Sequence, residues 1–145
     1  VCTPGQVQRY RNKLSGPLLD RIDLQVWVHP IPAEALVTSK PSESSLAVRS
    51  RVNSARDRQR IRYTSVSANC NAELQGDAIR RAANPTQEAL KTLQLTMESH
   101  GLSGRAWSRI LKVARTIADL VGQEQVLTNH ILEASSFRLN LELEP

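Results

Sequence analysis

Two periodicities divide the chain. Over residues 22–28, Ile22, Leu24, Val26 and Val28 alternate with Asp23, Gln25 and Trp27, the period-2 pattern of a strand with one buried face. His29-Pro30-Ile31-Pro32 ends it, because proline donates nothing to a ladder and forces its predecessor to extend. Beyond residue 45 the pattern becomes helical. The strongest helix runs from Ser103, its N-cap, to about Val121, before Gly122. At about 100° per residue, Trp107, Ile110, Ala114, Ile117 and Val121 fall in one stripe, which predicts a core-facing side. Arg105, Arg109 and Lys112 fall opposite, within about 60° of one another, as on an ordinary solvated face.

Punctuation residues place the other elements. Thr3 as N-cap and Pro4 at the first helical position predict a short helix over residues 3–13, and Gly16-Pro17 breaks the chain after it. Residues 38–45 form a polar connector and mark the main boundary. A helix follows from about Ser45 to Tyr63, with Leu46, Val52, Ala55 and Gln59 on one side and Arg49, Arg51, Arg56, Arg58, Arg60 and Arg62 spread over the rest. Residues 64–75 read as a loop, and residues 77–83 as a short helix ended by Asn84-Pro85. Thr86 caps a helix over residues 87–99, stopped by Gly101 in a left-handed conformation, and Thr128 caps a last helix through Phe137, with Ile131, Leu132 and Ala134 available to pack. The expected fold class is mainly α: a helix bundle preceded by one short helix and one strand.

Composition narrows the chemistry. Forty per cent of the 145 residues are hydrophobic, yet only Tyr10, Trp27, Tyr63, Trp107 and Phe137 are aromatic, so the core must be built from Leu, Val, Ile and Ala. Cys2 and Cys70 show no C-x-x-C spacing, which argues against a disulfide framework or a self-contained zinc site and for reduced thiols. No apolar run reaches membrane-spanning length and no leader pattern is visible, so a soluble, cytoplasmic protein with no membrane partner is expected. The net charge is +5, and fifteen of the nineteen cations are Arg, whose planar fork suits phosphate and carboxylate. No Walker A, dinucleotide, zinc-protease or hydrolase-elbow motif occurs, and the chain opens on Val1; this reads as a piece of a longer protein.

Two arginines stand apart. Arg105 lies in the first turn of its helix, where the macrodipole disfavours a cation by about 0.3–1 kcal/mol unless an anion offsets it. Arg21 stands at the entrance to the predicted strand, flanked by Leu18, Leu19 and Ile22. It suits either a surface ion pair with Asp20 or Asp23 or a guanidinium presented to another subunit, and spacing does not choose between them. In the Arg-rich helix, Arg49, Arg51 and Arg58 are candidate contacts to DNA phosphates, against the alternative of a solvated face, since the charges point all round.

The string Y-R-N-K-L-S-G-P-L-L-D-R-I-D-L-Q-V-W-V (Tyr10 to Val28) and the string L-S-G-R-A-W-S-R-I-L-K-V-A-R-T-I-A-D-L (Leu102 to Leu120) resemble the C-terminal part of ComM/YifB-type proteins, the bacterial magnesium-chelatase-like AAA+ ATPases. R-V-N-S-A-R-D-R-Q-R (Arg51 to Arg60) and H-I-L-E-A-S-S-F-R (His130 to Arg138) also fit. The resemblance implies that residues 1–32 end an αβα nucleotide-binding core, 33–44 link, and 45–145 form the helical lid. It implies a hexameric ring acting on DNA, like the branch-migration helicases of competence and recombination, with ATP and Mg2+ in the full-length protein and no cofactor or turnover in the isolated piece. Arg21 matches the arginine finger that reaches a neighbouring subunit's nucleotide, and Arg105 matches the sensor 2 arginine. Cys2 resembles the last member of a cysteine cluster whose other members are absent, so no metal is expected. The alternatives are a magnesium-chelatase ATPase subunit that drives metal insertion into a porphyrin, and a helical interaction or DNA-binding module.

Overall fold

The computed structural model of the chain describes residues 3–11, 13, 15–26, 28–38, 42–64 and 68–139. Their regular structure is helical: α1 (Pro4–Arg11), α2 (Gly16–Leu19), α3 (Ala33–Thr38), α4 (Ser45–Arg62), α5 (Asp77–Ala83), α6 (Gln87–Ser99), α7 (Gly104–Leu120) and α8 (Thr128–Leu139), with a 3-10 turn at Asn71–Glu73. Cap chemistry sets the starts. Ser44, Thr86 and Ser103 each accept the backbone N–H three residues on, at 3.3, 3.2 and 3.3 Å, which satisfies donors a helix start leaves open. Thr3 and Gln6 cap reciprocally: the Gln6 N–H donates to Thr3 Oγ1 at 3.4 Å and the Thr3 N–H to Gln6 Oε1 at 2.8 Å. After α6 the chain turns at Gly101, φ +57°, a conformation that a Cβ disfavours.

α7 is the central helix, packed against α4, α5, α8 and the 3-10 turn, while α6 packs on α8. Its Ile110, Leu111, Ala114 and Ala118 close without exposure against a core that includes Leu93, Val126 and Ile131. Each such Leu or Ile contributes about 1.5–3 kcal/mol by burial. Val126 is also tied by its backbone, accepting from the Thr86 N–H at 3.0 Å and donating to Asn84 O at 3.3 Å, which fastens the end of α5 to the start of α8.

A charged network runs through this core. Asp119 is fully buried; its carboxylate receives Arg62 Nη1 at 3.0 Å, Asn71 Nδ2 at 2.9 Å and Arg115 Nη2 at 3.0 Å. Arg115, equally buried, donates to Glu124 O at 2.6 Å and to Gln123 O, and Tyr63 OH reaches Asn71 Oδ1 at 2.5 Å. Burial alone would raise the Asp119 carboxyl, but hydrogen bonds from Arg62 and Asn71 and the charges of Arg115 and Arg62 outweigh it and hold it below its ordinary value.

The fold departs from the sequence expectations in several places. The strand over residues 22–28 does not form: no strand exists among the described residues, and the Gln25 N–H goes instead to Phe137 O, at 2.8 Å, near the end of α8. A period-2 segment becomes a strand only when a neighbouring strand takes its backbone groups, and without one Leu24, Val26 and Val28 stay 51, 65 and 86% exposed. Trp27 and Cys2 lie outside the described residues. The connector over residues 33–44 holds α3, where Ala33, Glu34, Ala35 and Leu36 favour a helix. Gly16-Pro17 opens α2 under a Ser15 cap. Thr128 begins α8 rather than capping it; the Leu127 N–H is taken by His130 Nδ1 at 3.1 Å. In α4 only Ala55 and Gln59 of the expected side are buried, and Leu46 is 75% exposed. The buried face of α7 is rotated from the expected stripe, leaving Val121 exposed and taking in Leu111, Arg115, Ala118 and Asp119. Packing on several sides widens the face, and mutual pairing lets the two charged residues enter it.

Replacing Asp119 by Ala strands two buried or half-buried guanidiniums, so Asp119→Ala is expected to destabilise the chain by about 3–5 kcal/mol in denaturant titrations; a loss near zero would show the network to be dispensable. His130 supplies a second check. Burial, then the nearby Arg115 charge, depresses its pKa, and only the neutral ring can accept at Nδ1. The unfolded state therefore binds the extra proton first. Stability should be full above the ordinary histidine value of about 6.5 and fall as the pH drops below it, while the Asp119 contribution persists down to the carboxylate range. His130→Gln should flatten the melting-temperature profile between about pH 5 and 6.5.

Candidate functional site

Residues 16–25, which carry Arg21, dock on the start of α7, which carries Arg105, and on the end of α8. Ser103 does double service there: its Oγ accepts from the Ala106 N–H, and its hydroxyl donates to Asp20 Oδ1 and Oδ2 at 3.1 and 3.3 Å. In the first turn of α7, Arg105 Nη1 stands 4.0 Å from Asp20 Oδ2 with its side chain 66% exposed. The anion that a first-turn cation calls for is thus the Asp20 carboxylate, and it is held loosely by Arg105.

Arg138, in the last turn of α8, holds the same carboxylate from the other side. Its Nη2 lies 3.1 Å from Asp20 Oδ1 and its side chain is 6% exposed. The guanidinium also donates to Ile22 O at 3.0 Å and Asp20 O at 3.4 Å. Two further ties finish the docking: an Arg109–Asp23 ion pair, and the Gln25 N–H bond to Phe137 O at 2.8 Å. Arg21 stands in the middle of this segment, exposed, and no hydrogen bond or ion pair joins its guanidinium to a described residue.

These contacts bear on the ion pair expected of Arg21. Asp20 and Asp23, its expected ion-pair partners, are taken by Ser103, Arg105 and Arg138 and by Arg109. The supposed solvated face of α7 is likewise only partly free, because Lys112 Nζ donates to Ala72 O at 2.8 Å. Arg138 and Asp20 carried little signal in the sequence: a cation in a last helical turn suits the dipole whatever else it does. A separation of 118 residues hides the contact.

The arginines of α4 are placed differently. Arg58 donates to Asp119 O at 3.0 Å, and its guanidinium packs on Gly122, where an added Cβ would come within 3.0 Å of Nη2. Arg51 pairs with Glu43 at the surface. Arg49 is exposed, with no described partner. Arg51 and Arg58 lie about 20° apart around the helix, and Arg49 lies on the far side. The three candidates therefore form no single patch. Among the described residues no group of three or more His, Cys, Asp or Glu could hold a metal ion, and no helix is long and apolar enough to cross a membrane.

The family profile described as magnesium chelatase, subunit ChlI C-terminal, matches residues 42–138, and the profile described as magnesium chelatase, subunit ChlI, matches residues 1–36. The chain belongs to the magnesium-chelatase-like family. It is 43% identical to the uncharacterized protein YifB of Escherichia coli (strain K12) over 139 residues, 94% of this chain and 26% of that protein. It is 39% identical to the competence protein ComM of Haemophilus influenzae over 142 residues, 97% of this chain and 27% of that protein. An uncharacterized protein of Mycobacterium tuberculosis is 37% identical over 138 residues, 95% of this chain and 27% of its own length. The chain thus spans about a quarter of the length of these relatives.

The Asp20 contacts have a direct consequence. Asp20→Ala removes the carboxylate that joins the segment to both α7 and α8, and residues 16–25 should then detach more often. Tryptic cleavage after Arg21 is expected to quicken about tenfold, equivalent to about 1.4 kcal/mol of lost docking, while α4 to α8 keep their protection; unchanged cleavage would mean that Arg109 and Gln25 suffice.

Proposed function

We propose that the chain is the C-terminal part of a ring-forming AAA+ ATPase that acts on DNA, with residues 1–32 ending its nucleotide-binding core, residues 33–44 linking, and residues 45–145 forming its lid. The observation that carries this reading is the state of Arg21. Its neighbours are bound to α7 and α8 while its own guanidinium is exposed and without a described partner. It stands in the G-P-L-L-D-R-I-D string that resembles the arginine-finger segment of such ATPases.

In this reading Arg21 reaches the nucleotide of the neighbouring subunit in a hexameric ring. A preplaced guanidinium donates to the phosphoryl oxygens as charge develops on them, and such a finger is worth about 10³–10⁵ in rate. Arg105, loosely held by Asp20, exchanges that carboxylate for the phosphates of its own subunit's nucleotide. Both arginines suit an anionic ligand: each is exposed, and Arg105 lies beside the open N–H groups at the start of α7. ATP with Mg2+ supplies the transferable phosphoryl group. Mg2+ in such a site is held chiefly by the nucleotide's phosphate oxygens and water. The isolated chain neither binds nor turns over ATP.

Action on DNA, as in branch migration during competence and recombination, is supported by the likeness to ComM, whose name ties that protein to competence. Among the α4 candidates, Arg49 is the one with an uncommitted side chain, and Arg58 serves the core.

In the full-length protein, Arg21→Ala should lower DNA-stimulated ATP hydrolysis by about 10³-fold or more, with ATP binding nearly intact. Wild-type turnover in that variant would sink the finger assignment. An ATPase indifferent to DNA would sink the DNA half of the reading.

A further inference from the structure

One side chain holds the backbone on both sides of Arg21. Arg138 Nη1 donates to Ile22 O at 3.0 Å, and Nη2 donates to Asp20 O at 3.4 Å and to Asp20 Oδ1 at 3.1 Å. The bracketed residue, Arg21, has no side-chain hydrogen bond or ion pair to a described residue. A planar guanidinium can serve two carbonyls and a carboxylate at once, whereas an ammonium is a single point on a flexible stem. The Arg138 side chain is 6% exposed and its Nε is buried without a partner. Burying a guanidinium with one donor unsatisfied is costly. In return, the main chain beneath Arg21 is fixed while its cation stays free, the arrangement required of a group that meets its target on another molecule.

We infer that Arg138 is a positioning residue for ATP hydrolysis at the neighbouring subunit's site: it sets where Arg21 stands. Through Asp20, it also sets that segment against Ser103 and Arg105. The inference rests on the reading of Arg21 as a finger acting between subunits.

Mixed rings of the full-length protein test it. One subunit carries Arg21→Ala with a working nucleotide site; the donor subunit has its own site disabled and keeps Arg21, so hydrolysis occurs only where the donor supplies its arginine. Arg138→Lys in the donor should lower the complemented kcat about 10- to 100-fold, with the KM for ATP within about threefold and ring assembly by sedimentation unchanged. Asp20→Asn in the donor, which keeps both carbonyl bonds, should lower kcat by a smaller factor, about threefold. An unchanged kcat with the Arg138→Lys donor overturns the inference, as does a loss that merely follows lost assembly. Where Arg138→Lys rings do not assemble, the Asp20→Asn donor decides, and a wild-type kcat there overturns it. If an otherwise unaltered donor restores no hydrolysis, the finger reading itself falls and takes the inference with it.

Discussion

The packing around α7 is organised by the burial of Asp119. A carboxylate with no exposure survives in a core only if its lone pairs are filled and its charge is matched. Arg62 brings the end of α4 to it, Asn71 brings the 3-10 turn, and Arg115 comes from one turn earlier on α7 itself. Arg115 then passes the tie onward, to Ala83 O at the end of α5 and to the carbonyls of residues 123 and 124 that lead into α8. The bundle is thereby referenced to one helix. Apolar burial drives its collapse, but a partnered charge specifies which groups must come together.

Fixing α7 in this way settles the far end of the molecule. The start of α7 and the end of α8 stand side by side, presenting Ser103, Arg105, Arg109 and Arg138 to one short segment. That segment has too little buried apolar surface to hold itself, with Ile22, Leu24, Val26 and Val28 all exposed. Polar ties to the bundle place it instead. The cationic groups at this end fall into two kinds: those spent on holding the chain, Arg109 and Arg138, and those left accessible, Arg21 and Arg105.

The helices were legible because their signals are local. Ser44, Thr86 and Ser103 cap within three residues of themselves, and Gly101 turns the chain on its own backbone preference. The alternation over residues 22–28 makes no strand for the complementary reason: it states which face would be buried, and a strand needs partners that no local pattern supplies. The rotation of the buried face of α7 has the same origin. Arg115 and Asp119 read as polar positions one at a time and become core only as a pair, with Arg62 and Asn71 brought from 57 and 48 residues away.

The sequence by itself determined the helical class, most element boundaries and the family, since capping, periodicity and motif strings are properties of neighbouring residues. The tertiary structure alone decided which arginines are free. Arg21 and Arg138 are the same residue type, and nothing nearby in the chain distinguishes a presented guanidinium from one clamping a backbone. The difference lies in contacts 116 and 118 residues apart, at Ile22 O and Asp20, which exist only once α8 has packed against α7.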